Sequence, residues 1–481
     1  MNELWANRGR SGWSSWRPEY GTRVLHLHDT ASGQLAPLVG RDPGAISMYV
    51  CGPTVYAPPH IGHGRFMLVY DILRRYLEFR GSVVTHVSNV TDVDDKIIVR
   101  AEREGRPWEE IAEQAEAQWW SAMDALGILQ PHEIPHATKY ISQMDDLIVD
   151  LVGRGAAYET DDGVYLAVDR VDGYGLLPHI DPATLRSGAR VSVDEHKRAA
   201  GDFALWKKAK PGEPTWPSHY GPGRPGWHTE CVAMALELLG PGFDLHGGGL
   251  DLVFPHHENE RAQAVQLGRQ FARVWVHNGL VTQGGEKMSK SIGNIADLAG
   301  LVSGSDPRAY RLLVLRAQYR SPLEVTPELL EDAARGLARV DAFADRVASI
   351  PTGAAPAGDP AVADLDRRFF EALDDDLDTP RGVAVLFEAM RVANSMIDAS
   401  SAVEGATRGR RILELFGALG VFPTHRRDVD PRLDAWAAAR AGERDRARAA
   451  KDFATADSIR AELEAAGWTV EDTPGGTRVQ R

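Results

Sequence analysis

The chain has 481 residues, 43% hydrophobic and 25% charged, with a formal net charge of -14, the composition of an ordinary soluble globular protein of roughly two to four domains. No apolar run approaches the roughly 20 residues of a membrane span, and the start, Met1-Asn2-Glu3-Leu4-Trp5, lacks the apolar centre of a signal peptide, so a cytoplasmic location and no membrane are expected. The acidic balance argues against broad, non-specific nucleic-acid binding while leaving room for a local basic face.

Residues 1–23 hold Trp5, Trp13 and Trp16 among Arg, Ser and Gly without a period, and are read as an N-terminal extension with no assigned function. Regular structure is expected from Val24. The run Ile46-Ser47-Met48-Tyr49-Val50 reads as a buried strand leading into Cys51. Gly52-Pro53-Thr54 and His60-Ile61-Gly62-His63-Gly64 follow, then Phe66, Val69, Tyr70, Leu73 and Leu77 at helical spacing up to Gly81. This is strand, loop and helix, the unit that sets a helix N-terminus where a phosphate can bind. Gly62 and Gly64 would let a nucleotide approach the backbone, with His60 and His63 turned toward its phosphates. The plainer alternative makes the two histidines helix-start residues satisfied by local hydrogen bonds. A second strand, Val83 to Val87, ends at Asn89-Val90-Thr91-Asp92. The alternation predicts an α/β fold with a parallel, doubly wound, Rossmann-like sheet whose ligand lies at the carboxyl ends of the strands.

From about Pro107 to Pro225 a long insertion separates the two halves of that fold, with helical patterns over Ile111–Leu126 and Tyr140–Leu151 and a hairpin over Ala157–Val168. The only two cysteines are Cys51 and Cys231. His256 and Glu260 stand four apart, on one face of an expected helix, so the four side chains could complete a mixed sulfur, nitrogen and oxygen shell around a tetrahedral zinc ion. A disulfide is the rival reading; no sign of an oxidising compartment supports it. His257 points about 100° away from His256 on a helix. It and Glu258 are left to support of the ligands, to the nucleotide side, or to an ordinary surface role.

After the strand Val274-Trp275-Val276 comes Lys287-Met288-Ser289-Lys290-Ser291-Ile292-Gly293-Asn294. Two lysines flanking a Met-Ser pair can hold a triphosphate as point charges, and Gly284, Gly285 and Gly293 allow such a loop to move. Beyond Arg320 helices rich in Ala, Leu, Arg and Asp take over: one over Thr326–Ile350, a linker at Pro351–Pro360, and further helical patterns through Leu419. Residues 426–481 carry 11 basic and 11 acidic residues, so the net charge of -14 falls on the earlier part.

The paired histidine and lysine signatures resemble those of class I aminoacyl-tRNA synthetases. The segments Met48 to Tyr56, Asn89 to Lys96, Gly226-Trp227-His228-Thr229-Glu230-Cys231 and Gly247 to Glu260 narrow the likeness to the cysteinyl-tRNA synthetases, over nearly the whole chain from Val24. The resemblance implies a catalytic domain over 24–320 with a connective insertion at about 107–225, a helical bundle over 321–422 and a small α+β anticodon-binding domain over 423–481. It implies one zinc per chain on Cys51, Cys231, His256 and Glu260, a cysteine pocket lined by Thr91 and Trp227, and Mg2+ accompanying ATP. The reaction implied joins L-cysteine to tRNA(Cys) through cysteinyl-adenylate, with His60, His63, Lys287 and Lys290 as catalytic donors to phosphate oxygens. Gly247 and Gly249 would let the adenosine approach, with Asp251 an acceptor nearby. Trp468 could stack on a base and Asp472 accept from a guanine edge. A monomer is expected. An ATP-dependent ligase that joins cysteine to an amino-sugar in thiol biosynthesis would share the zinc and ATP signatures but lack the last domain, and the Phe453–Thr477 segment argues against it. A zinc-stabilised RNA-binding module without activity would not need both phosphate signatures.

Overall fold

The computed structural model describes residues 24–180, 197–283, 286–287, 297–351, 359–399, 401–423, 431–450, 452–465, 469–473 and 476–480. Order begins at an antiparallel hairpin, β1 (His26–Asp29) with β2 (Gln34–Pro37). Strand β3 (Ala45–Val50) runs into helix α1 (Ile61–Phe79), and β4 (Val83–Ser88) follows. Helices α2 (Asp95–Glu104), α3 (Trp108–Ala125) and α4 (Ile141–Gly153) lead to β5 (Ala157–Glu159), β6 (Gly163–Leu166), β7 (Phe203–Lys208) and β8 (Gly223–Pro225). Next come α5 (Trp227–Leu239), β9 (Phe243–Gly249), α6 (Glu258–Gln266), β10 (Ala272–Asn278), β11 (Val281–Gln283) and β12 (Glu286–Lys287). Helices α7 (Leu298–Gly304) and α8 (Pro307–Leu315) and strand β13 (Leu323–Glu324) precede α9 (Pro327–Ser349), α10 (Pro360–Leu373), α11 (Thr379–Asp398) and α12 (Ala402–Ala418). The last elements are α13 (Pro431–Ala449), α14 (Phe453–Ala465), β14 (Thr469–Thr473) and β15 (Gly476–Gln480).

The chain divides into two compact units, one running to residue 339 and including 350–422, the other 340–349 with 423–481. In the first, β10, β9, β3 and β4 lie side by side in that order, and every neighbouring pair is parallel. All seven residues of β9, and Met48, Tyr49 and Val50 of β3, are buried, as expected of a parallel sheet covered on both faces. The expected hairpin after residue 157 is present but is half of a larger object. Strands β5 to β8 form a four-stranded antiparallel sheet, and its last two strands come from a segment read only as insertion.

Helix α1 follows the β3 loop and is buried on nearly every side. Gly64 faces that packing. A Cβ there would sit 3.0 Å from Leu298 and 3.2 Å from Leu126 and Tyr310, so its smallness serves α1's contacts with its neighbours. Two arginines are buried with the helix. Arg65 donates to the carbonyls of Leu280 (2.8 Å) and Tyr319 (3.1 Å), while Arg311 of α8 pairs with Asp71. Asp71 also accepts from Arg75 (2.8 Å) and from the Leu129 N–H (2.9 Å). Burial alone would raise the Asp71 carboxyl, but Arg311 and Arg75 hold it below the ordinary aspartate value.

The loop between α10 and α11 is anchored to the body. Asp374 accepts from the Tyr76 hydroxyl and the Arg80 guanidinium, both at 2.6 Å. Asp376 accepts from the His28 N–H (2.8 Å), the Tyr319 hydroxyl (2.9 Å) and Arg320 (2.7 Å). The backbone of β1 joins in, with His26 N–H on Asp374 O and Asp376 N–H on His26 O, each at 2.9 Å. Asp376 and Leu377 hold φ of 55° and 50°, a left-handed pair that non-glycine residues adopt only when their surroundings enforce it.

The second unit packs α13 and α14 against the antiparallel hairpin of β14 and β15, around Ala437, Ile459, Leu463 and Val470. Arg444 and Asp445 reach Thr477 of β15 at 2.7 and 2.6 Å.

Removing one partner of the buried Asp71 pair leaves Arg311 uncompensated. Asp71→Ala is expected to lose about 3–5 kcal/mol of stability at neutral pH, measured by denaturant or thermal unfolding. Because the folded pKa lies below the unfolded one, this contribution is complete above the unfolded value and fades as pH falls through the folded value. The gap between variant and wild type should therefore narrow under acid; a gap that is constant with pH would contradict the ion-pair account.

Candidate functional site

The carboxyl ends of the parallel strands are where the metal candidates meet. Cys51 directly follows β3, and its N–H donates to Gly247 O of β9 at 3.1 Å. Gly52 must be glycine, because a Cβ there would fall 1.6 Å from the Asn89 carbonyl oxygen. Cys231 lies early in α5, His256 in the kinked turn 253–257 and Glu260 in the first turn of α6. The Cys51 and Cys231 sulfurs are 3.7 Å apart, Cys51 Sγ is 3.4 Å from Glu260 Oε1, and His256 Nε2 is 3.0 Å from that same oxygen. All four ligand atoms lie within 4.8 Å of one another and all four residues are buried.

Both cysteines are free thiols, which removes the disulfide reading. Two sulfurs on a tetrahedral zinc with bonds of ~2.3 Å stand ~3.8 Å apart, and the observed 3.7 Å matches. The group could hold a metal ion through a borderline-soft donor set.

Charge is distributed unevenly over the four groups. Burial pushes the Cys51 thiol well up, and Cys231 and Glu260 beside it add to the rise. At Cys231 burial is outweighed by the hydrogen bond from Cys51 and by His256, so its thiol is lowered. Burial would lower His256, but Glu260 and Cys231 lift the imidazole to about 10. Glu260 itself is held well below the carboxylate range against the effect of burial, chiefly by His256 and His246.

Around these four groups sits a ring of supporting contacts. His228 Nδ1 meets His256 Nδ1 at 3.0 Å, leaving Nε2 toward Glu260. Trp227 stacks on His256 with centroids 4.1 Å apart and planes 24° apart, which brings this predicted pocket residue directly to the cluster. Thr91 is buried and donates to Glu230 Oε2 at 2.8 Å; Asn89 donates to Thr91 at 3.3 Å and accepts from Cys231 at 3.6 Å. Burial, with Cys231 next, drives the Glu230 carboxyl well above its usual range. It stands as a neutral acid in the wall between Thr91 and the metal cluster.

His257 and Glu258 are fully buried, which overturns a surface role for either. Glu258 accepts from the N–H groups of Gly175 (2.9 Å) and Leu177 (2.8 Å) and holds that loop. His257 Nδ1 meets His277 Nε2 at 2.7 Å, and His277 Nδ1 meets Thr30 Oγ1 at 2.7 Å. Burial keeps both rings neutral, His277 at about 3 and His257 well below its ordinary value. The residue that sequence reasoning missed is His246. It lies on β9, with Nε2 2.7 Å from Glu260 Oε2 and 3.7 Å from Cys51 Sγ. The available signal was a histidine placed directly before three glycines in a buried strand.

On the nucleotide side, His60 is the N-cap of α1, and the two histidines cap the helix reciprocally. His63 N–H reaches His60 Nδ1 at 3.3 Å and His60 N–H reaches His63 Nδ1 at 3.2 Å. Their rings stack at 3.6 Å, and Trp119 of α3 lies 5.1 Å from His63. The local-hydrogen-bond alternative is therefore real, and it fixes both rings at the helix start. The glycine run ends β9. A Cβ at Gly247 would fall 2.4 Å from the Tyr70 ring, one at Gly248 2.6 Å from His257 and one at Gly249 2.5 Å from Asp251 Oδ1. Packing alone thus requires the first two. Asp251 is exposed beyond the strand end. Of the lysine signature, Lys287 is described only as backbone of β12, and Lys290 lies outside the described residues, as does Trp468. Asp472 is described as backbone of β14 alone.

Residues 38–335 match the family model described as tRNA synthetases class I (C) catalytic domain, and residues 368–423 match the DALR domain. A cysteine–tRNA ligase of Streptomyces griseus is 41% identical over 464 residues, covering 95% of this chain and 98% of that protein. Those of Clavibacter michiganensis and Moorella thermoacetica are 44% and 42% identical, covering 94% and 95% of this chain and 98% and 100% of theirs. The fold is shared with Mycobacterium tuberculosis methionyl-tRNA synthetase in complex with methionyl-adenylate, at a TM-score of 0.58 and 17% identity over 78% of this chain and 90% of that one. With identity of this level over almost the entire length, and with the cysteine, histidine and glutamate cluster assembled at the strand ends, the chain belongs to the cysteine–tRNA ligases, class I aminoacyl-tRNA synthetases.

Proposed function

We propose that Cys51, Cys231, His256 and Glu260 hold one zinc ion per chain and that the chain selects L-cysteine there. The observation that carries this is the convergence of four buried ligand atoms within 4.8 Å. When bound, zinc supplies a Lewis-acidic seat that takes a thiolate far better than the hydroxyl of serine, so no editing domain is required. Thr91 and Trp227 line the cysteine pocket; the Trp227 stack on His256 and the Thr91 bond to Glu230 support this.

ATP, with Mg2+, takes the side of His60, His63, Gly247, Gly249, Asp251, Lys287 and Lys290. The substrate carboxylate attacks the α-phosphate and pyrophosphate leaves, giving cysteinyl-adenylate; a terminal ribose hydroxyl of tRNA(Cys) then attacks its carbonyl, breaking the acyl–phosphate bond and releasing AMP. His60, His63, Lys287 and Lys290 act as donors to phosphate oxygens as charge develops. The stacked, reciprocally capped histidines at the α1 N-terminus support that role, since both are preorganised where a helix favours anions.

We read 24–320 as the doubly wound catalytic domain with a connective insertion at about 107–225, 321–422 as the helical bundle, and 423–481 as the anticodon reader, with Trp468 and Asp472 on RNA. The domain match at 368–423 and the compactness of the last unit support this division. The working form is a cytoplasmic monomer. Among the described residues no helix is long and apolar enough to cross a membrane.

Metal analysis should find one zinc per chain, and Cys231→Ala should lose it. A wild type with less than about half an equivalent, or a variant that keeps its full equivalent, would defeat the zinc assignment. Lys290→Ala should slow cysteine-dependent ATP–pyrophosphate exchange roughly 100- to 1000-fold without altering the unfolding midpoint; exchange at the wild-type rate would remove Lys290 from the ATP site. Truncation before Arg432 should leave exchange nearly intact while charging falls sharply and loses part of its salt dependence. Unchanged charging, or ligation of cysteine to an amino-sugar by the full chain with no charging of tRNA, would defeat the tRNA reading.

A further inference from the structure

His246 is aimed at the one atom of the candidate metal cluster that the four-ligand account leaves unused. Glu260 presents Oε1 to the ligand group, 3.0 Å from His256 Nε2 and 3.4 Å from Cys51 Sγ, and Oε2 to His246 Nε2 at 2.7 Å. The other ring nitrogen of His246, Nδ1, is buried and has no partner. Glu260 is held well below the carboxylate range, and an ionised carboxylate can only accept a hydrogen bond. The proton therefore belongs on Nε2, and the contact is a donation from imidazole to carboxylate.

The ring has little freedom to do anything else. Tyr49, Phe243, Phe271 and Trp275 surround it with centroids 4.9–5.8 Å away, and His257 lies over it at 4.3 Å. His257 is itself held, through His277, to Thr30. Its place against β9 exists only because residue 248 has no side chain, a Cβ there falling 2.6 Å from the His257 ring.

We propose that His246 is a specificity-determining positioning residue: by holding Glu260 Oε2 it keeps the carboxylate monodentate, so that the metal retains a coordination position for the substrate thiolate. This rests on the zinc reading above. A carboxylate released from His246 can close on the metal through both oxygens and occupy the position the substrate needs. Cys51, His246, His257 and Glu260 form a second buried group within ligand distance of one another; the proposal sets His246 behind Glu260 instead, so its effect falls on the amino acid and not on ATP.

The test uses the full chain with zinc, and separately with cobalt(II) in its place. His246→Phe keeps an aromatic ring in the cage and removes the donor; His246→Gln restores an N–H at about the same reach. In wild type and His246→Gln, added cysteine should produce a new thiolate-to-cobalt charge-transfer band. In His246→Phe the band should be lost or much weakened. The same variant should raise KM for cysteine on the order of 10-fold or more, leave KM for ATP within about twofold, and release zinc to a chelator roughly 10- to 100-fold more readily. A His246→Phe variant with wild-type band, cysteine KM and zinc retention would overturn the proposal. So would equal loss in Phe and Gln variants, which would show that shape and not donation matters. A wild type that binds neither zinc nor cobalt would instead defeat the zinc reading.

Discussion

Four ionisable side chains from three widely separated segments are forced into one dry volume, and most of the first unit is arranged to make that possible. Cys51, Cys231, His256 and Glu260 are each at most a few per cent exposed, so none can take its charge from water. Their mutual geometry must hold before any cation can be bound, and it is the backbone that holds it. The parallel order β10, β9, β3, β4 brings the ends of β3 and β9 together, and Cys51 is bonded through its own N–H to Gly247. A longer side chain at residue 52 or 248 would separate these strands from their loops.

The electrostatic design is graded outward. At the centre sit a lowered thiol, a strongly acidic carboxylate and a raised imidazole. Beyond them lie histidines kept neutral by burial, His228, His257 and His277. Neutral imidazoles can orient a charged side chain without adding a further charge to the buried cluster. The aromatic rings of Trp227, Trp275, Phe243 and Phe271 complete the dry wall. Desolvation of this kind strengthens each contact inside and makes any unpaired group there costly.

Much of this could be read from residues alone. Two cysteines with a histidine and glutamate four apart announced the cluster, and the strand, loop and helix around His60 and His63 announced the parallel sheet. The helix expected over Thr326–Ile350 is α9 within a residue at each end. What stayed hidden depends on pairing between distant segments. The sheet of β5 to β8 joins residues 157–166 to 203–225, and no local period records such a partnership. The glycines misled for a related reason. Gly64 and Gly247 read as ligand clearances alone, but Leu298, Leu126, Tyr310 and Tyr70 also need that room; a missing side chain does not say who needs the space. His246 was passed over because a histidine in an apolar strand carries no period of its own, and its partner Glu260 is 14 residues away.

The anchoring of the loop at Asp374 and Asp376 bears on how such a chain could have been assembled. The helices from α10 to α12 are fastened to β1, α1 and the segment at Tyr319 and Arg320 by carboxylates that are themselves buried. Recombination that replaced these helices with a foreign bundle would strand the Tyr76 and Tyr319 hydroxyls and the edge of β1 without these partners. An exchange of the bundle would therefore have to carry its tyrosine and β1 partners with it.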